Sequence, residues 1–247
     1  MGLIQDDLGD FDQAQEYKHQ ALAVTEDIEG GGIKGWRGTI YMNLANTANL
    51  RGDFEKAVGF YQQSLEIFQE TKNQDMIIPC LANLAAAKSG LGEYQQAEQD
   101  LRQVLELTKN YEWMGKSIAN FLLAEACLSQ DKMDEAREAA LNALEHAENT
   151  GAQQALGAAC RVLGKVASKL KIEVEHDGKT HSPRECFQHS EKIYADLGAD
   201  AERAHTLKAW AEHELRDGDK EEGEKMWEEA KGIFQRLEMG VEVDKMS

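Results

Sequence analysis

Four alanines recur at nearly one interval: Ala14, Ala57, Ala97 and Ala136, separated by 43, 40 and 39 residues. Each closes the same local pattern. It reads Leu8-Gly9-Asp10-Phe11-x-x-Ala14, Arg51-Gly52-Asp53-Phe54-x-x-Ala57, Leu91-Gly92-Glu93-Tyr94-x-x-Ala97 and Gln130-Asp131-Lys132-Met133-x-x-Ala136. A period near 40 in a helix-rich chain dictates a stack of units, each burying its apolar face against its neighbours. Such stacks bind along their surfaces and rarely do chemistry.

The residues between the repeats are those of helices. Pro79 and Pro183 are the two prolines of the 247 residues, and Ala, Leu, Glu, Gln and Lys dominate. The expected fold class is all-α, a right-handed α-solenoid of about six helix-turn-helix repeats. The net charge of −18 argues against direct nucleic-acid binding, which needs clustered Lys and Arg. No apolar run reaches the 18 residues that would span a membrane, and the N-terminus lacks a signal-peptide pattern. Cys80, Cys127, Cys160 and Cys186 form no C-x-x-C pair and read as reduced, buried thiols of a cytoplasmic protein.

The units read as residues 1–30, 31–73, 74–110, 111–150, 151–198 and 199–238, a single domain with a solvated tail at 239–247. The second unit is expected as a helix from about Trp36 to Leu50, a turn at Arg51-Gly52-Asp53, and a helix from Phe54 to about Thr71. Gly52 suits a helix C-cap and Asp53 an N-cap. Gly30-Gly31-Gly32 reads as a flexible connector. The fifth unit carries an insert at 171–180, where Asp177-Gly178, flanked on its N-terminal side by Ile172 and Val174, can close a hairpin. Its second helix is expected to start at Ser182-Pro183. Met1-Gly2 falls inside a first unit whose leading helix is cut short, so the chain reads as part of something longer.

The pattern is similar to the tetratricopeptide-repeat superfamily. Its Leu-Gly/Ala pair matches Leu44-Ala45, Leu84-Ala85, Leu123-Ala124, Leu163-Gly164 and Trp210-Ala211. Its small residue in the second helix matches Ala57, Ala97, Ala136, Cys186 and Gly223. The large residue four later matches Tyr61, Leu101 and Trp227 but departs at Ala140 and Ser190. The long period and the Asn-Leu-Ala signature at Asn43–Ala45 and Asn83–Ala85 resemble a long-helix subclass. Kinesin light chains, bacterial signal-transduction ATPases and maltose-activator-type regulators carry such repeats. The resemblance implies that the first helix of each unit lines a concave groove.

Groove-facing candidates are then Asn43, Asn46, Asn49 and Asn83, whose amides both donate and accept and can bracket a peptide backbone. Arg161, Lys165 and Lys169 lie at i, i+4 and i+8 on one helix face and, with Lys208, offer a basic stripe to a carboxylate or phosphate. The competing reading is pairing within the chain, to Glu202 and Glu212. The histidines suggest no metal site beyond a weak trio of His176, Asp177 and His181. No catalytic constellation stands out and no cofactor is implied. Two functions fit. One is a non-catalytic scaffold holding a protein or peptide that can carry an acidic group, with no nucleic acid and no membrane. The other is the ligand-sensing arm of a larger signal-transduction regulator.

Overall fold

The structure is a computed structural model that describes residues 20, 22–25, 31–111, 113–176, 178–237 and 239–246. The first repeat, with its Ala14 motif, lies almost wholly outside them. Two compact units form, one up to Asn110 and one from Tyr111.

In the first unit, α1 (Gly31–Leu50) pairs with α2 (Phe54–Glu70), and α3 (Gln74–Gly90) with α4 (Tyr94–Thr108). The core holds Leu44 and Ala45 of α1, Ala57, Tyr61 and Phe68 of α2, Leu84 and Ala85 of α3, and Ala97 and Leu101 of α4. These are the repeat's signature positions. The alanines are fully buried between the paired helices, where a small side chain permits close packing. The turns form as the sequence suggests. Gly52 and Gly92 both adopt φ of +80°, and the next amides, of Asp53 and Glu93, bond back to Ala48 and Lys88 at 2.9 Å. That closes each helix end with a left-handed residue.

Two local expectations fail. Gly31 and Gly32 open α1 instead of forming a connector; first-turn amides need no intrahelical acceptor, so glycine is cheap there. Asp53 makes no side-chain cap bond, because its carboxylate takes Lys56 Nζ at 3.0 Å.

The second unit continues the pattern with α5 (Lys116–Ser129) on α6 (Met133–Thr150), α7 (Gln153–Leu170) on α8 (Pro183–Leu197), and α9 (Asp200–Asp217) on α10 (Lys220–Arg236). Asp131 takes the turn glycine's place, with φ of 59°; Asp tolerates that region better than most residues. The insert folds as expected, into an antiparallel pair of β1 (Val174–His176) and β2 (Lys179–His181), with Val174 opposite His181. Ser182 caps α8 through a reciprocal box with Glu185, and Pro183 takes the first turn.

The solvated tail is corrected. Gly240–Asp244 form a short helix, α11, and Met246 is buried. Met239 and Val243 pack on the same cluster, around Phe234. Met239, Val243 and Met246 recur at helical spacing, so this segment has an apolar face to bury.

Candidate functional site

Each compact unit presents candidate residues of its own. In the first unit, α1 places Asn43, Asn46 and Asn49, and α3 places Asn83. Asn46 is engaged in packing: its Oδ1 accepts from the Tyr61 hydroxyl at 2.5 Å and from Asn83 Nδ2 at 3.4 Å. The backbone carbonyl of Asn43 accepts from Thr47 Oγ1 at 3.1 Å. Asn49 Oδ1 is buried with no hydrogen-bond partner among the described residues. The row of amides expected to face a peptide is thus partly spent on holding α1, α2 and α3 together.

In the second unit, the first helices of successive repeats surround a concavity of about 690 Å³. Ile118, Phe121 and Glu125 come from α5, Arg161 and Lys165 from α7, and His205, Lys208 and Glu212 from α9. Tyr194 of α8 forms part of the wall, and Glu242 of α11 closes one side. The structure therefore brings together Arg161, Lys165 and Lys208 of the expected stripe. Lys169 lines a smaller neighbouring hollow of about 230 Å³ with Ser168, His213 and Arg216.

Each of these cations already holds a carboxylate. Arg161 is buried, reaches the Glu202 carboxylate at 2.7 Å, and lies 5.7 Å from the ring centroids of both Phe121 and Tyr194. Lys165 pairs with Glu125 at 2.6 Å, Lys169 with Asp131 at 2.6 Å, and Lys208 with Glu242 at 3.2 Å. Pairing to Glu202 was expected; Glu125, Asp131 and Glu242 take the places foreseen for Glu212. Among the described residues, no ion pair engages Glu212, which is exposed.

These pairs tune the site. Burial pushes the Glu125 carboxyl up, but Lys165 and Arg161 outweigh it and hold it below the ordinary range. Burial lowers His205, and Arg161 reinforces this against the opposing pull of Glu202 and Glu242. His205 is neutral at pH 7 and lies edge-on to Phe234, with ring centroids 4.9 Å apart. Sequence reading missed His205, Tyr194 and Glu242. The apolar spacing of Met239 and Val243 was the signal that could have placed Glu242.

A second constellation lies behind the hairpin. A hollow of about 210 Å³ is lined by Cys160 of α7, Cys186 and His189 of α8, and His176 and His181 of the two strands. Cys160 Sγ is 3.7 Å from His189 Nδ1. His176 Nε2 is 2.7 Å from Glu148 Oε2. Burial pushes both thiols up to about 12.

The arrangement, paired helices whose leading members line a charged hollow, is that of a helical repeat scaffold. Residues 36–110 match the tetratricopeptide repeat family model, and the chain is a tetratricopeptide-repeat-like solenoid. It is similar in fold to RapI in its apo form (14% identity, TM-score 0.81), covering 96% of this chain and 82% of that one. It is also similar to a Rap protein complexed with Competence and Sporulation Factor (15% identity, TM-score 0.70), covering 99% and 70%. A signal transduction ATPase with numerous domains from Pyrococcus horikoshii, with a tetratricopeptide repeat sensor, is similar at 14% identity and a TM-score of 0.66. That match covers 95% of this chain but 34% of the ATPase. No curated protein sequence matches the chain significantly. No helix among the described residues is long and apolar enough to cross a membrane.

Proposed function

We propose that the chain is a non-catalytic scaffold that holds a protein or peptide segment in the concavity between α5, α7 and α9. The observation that carries this reading is the hollow itself. It combines an apolar edge at half-exposed Ile118, a fixed Arg161 on two aromatic rings, and an unpaired Glu212. An acidic group on the partner must displace Glu125, Glu202 or Glu242 from its cation. A basic group meets Glu212 directly. The net charge of −18 favours the second. The amides Asn43, Asn49 and Asn83 form a secondary surface on the first unit.

A second reading is the sensor arm of a cytoplasmic signal-transduction regulator. Its support is the likeness to the repeat sensor of the ATPase and to a Rap protein solved with Competence and Sporulation Factor. The two readings share the site and differ in whether binding is the end point or an input.

The test is capture from native lysate by the purified chain, with photo-cross-linking from position 118. Partners retained by Lys225→Ala, an exposed control on α10 outside the concavity, and lost from both Ile118→Asp and Glu212→Lys support the concavity. Partners retained by all three variants move the site elsewhere.

A further inference from the structure

We propose that Cys160, Cys186, His189 and His181 form a zinc site that pins the inserted hairpin to its repeat. Cys186 and His189 are three apart on α8, so both project from one helix face. Cys160 faces them from α7, with its sulfur 3.7 Å from His189 Nδ1. A tetrahedral zinc ion with ordinary zinc–sulfur and zinc–nitrogen bonds sets sulfur and nitrogen about 3.6 Å apart. The observed spacing already has that value.

The hairpin supplies the remaining side. Residues opposite one another in an antiparallel pair share a face, as do residues two apart along a strand. Val174, His176, Lys179 and His181 therefore all lie on one face. Val174 is fully buried, so this is the face turned inward. His181 sits at the root of the strand, five residues before Cys186, and lines the same hollow. His176 is held by Glu148 and stands beside the set as a supporting group.

Two thiolates and two imidazoles select zinc over magnesium or calcium, which prefer oxygen. Each thiol gives its proton to solvent as it binds. No three of these donors lie within 4.8 Å of one another in the chain alone. The ion must therefore swing the Cys186 side chain toward the Cys160–His189 pair as well as draw the hairpin inward. A two-stranded hairpin has little stability of its own and yields readily. This site is independent of the concavity and of what binds there.

The test uses the full chain, stripped with a chelator and titrated with Co²⁺ and then Zn²⁺. One equivalent of cobalt is expected to give thiolate-to-cobalt charge-transfer absorption with the visible bands of a tetrahedral ion, and zinc to abolish both. Hydrogen exchange across residues 174–181 should slow on zinc addition. Cys186→Ser, His189→Ala and His181→Ala should each weaken binding by about a hundredfold or more, and Glu148→Gln by about tenfold. Cys80→Ser should leave it unchanged. His189 is exposed, so His189→Ala keeps the fold even if substitutions at the buried cysteines do not. Absence of charge transfer at one equivalent overturns the proposal. So does absorption undiminished in Cys186→Ser, or affinity unchanged in both histidine variants.

Discussion

Ser190 donates its hydroxyl to the carbonyl oxygen of Gly157 at 2.8 Å across the α7–α8 interface. Tyr194, one turn further on, closes over the same glycine: a Cβ there would stand 2.7 Å from the ring. The first unit repeats the device. Ser64 donates to the Gly38 carbonyl at 2.8 Å, and Phe68 stands 2.8 Å from that glycine's would-be Cβ. Ser190 thus stands where Ser64 stands, and each is a tether that lets an aromatic ring seat on bare backbone.

Gly157→Ala should therefore destabilise the chain. Alanine gains about 0.5–1 kcal/mol over glycine in a helix, but overpacking costs about 1–3 kcal/mol. Tyr194 cannot retreat, since it is buried and its hydroxyl bonds Gln154 O at 3.0 Å. A net loss of about 1–2 kcal/mol is expected in urea unfolding. Gly232→Ala, with nothing within 4 Å of its Cβ, should instead gain about 0.5–1 kcal/mol. Equal midpoints for the two variants would contradict the tight contact.

Glu214 is the second vulnerable point. It is 1% exposed and accepts from Trp210 Nε1 at 2.8 Å, Arg184 at 2.7 Å and the Asp219 amide at 2.9 Å. Burial pushes its carboxyl up, but these three donors outweigh burial and hold it below 4.5. Glu214→Ala strands Trp210 Nε1 and the Asp219 amide, while Arg184 keeps Glu222 at 2.9 Å, and should cost about 2–4 kcal/mol. Glu214→Gln keeps one acceptor and should cost about 1–3 kcal/mol. Calorimetry of the two variants checks the order.

His205 and His213 should make the fold acid-sensitive. Both are lowered from 6.5, chiefly by burial, so the unfolded chain binds protons that the folded chain refuses. Their contribution is complete above 6.5 and is lost as pH falls through the folded values. Around His205 stand Glu202, Glu242, Arg161 and Lys208. His205→Asn, which cannot titrate, should flatten the decline in stability between about pH 7 and 5. A decline as steep as the native chain's would exclude His205 as its source.

The C-terminal segment should be a stabilising cap. Met246 is 4% exposed and joins the cluster around Phe234. Met246→Ala should cost about 2 kcal/mol, the low end for a core methionine, because the short α11 beside it can relax toward the gap. Amide exchange in α10 should quicken in that variant while α5 stays protected.

Much of the fold was legible because the repeat is a packing pattern. Ala57, Ala97 and Ala136 are all fully buried, and Gly52 and Gly92 turn the chain where their spacing says. The capping box at Ser182 and the hairpin followed from local chemistry. The site was less legible, because its pairs join residues far apart in sequence. Lys165 meets Glu125 forty positions away, and Cys160 meets His189 across 29. Such contacts depend on helix register, which periodicity leaves undetermined by a turn. Asp53 shows the local counterpart: a good capping residue was drawn off by Lys56.

The neutralised lining of the concavity has a kinetic consequence. Its cations are matched by carboxylates, so it projects little field of its own, and a ligand some way off senses the chain's charge of −18. Capture of a basic segment should then be fast at low ionic strength and slow steeply with added salt. Residence, in contrast, depends on the contacts the segment makes at close quarters with Glu212 and the apolar edge at Ile118. Arrival would be governed by the whole surface, and departure by a few side chains.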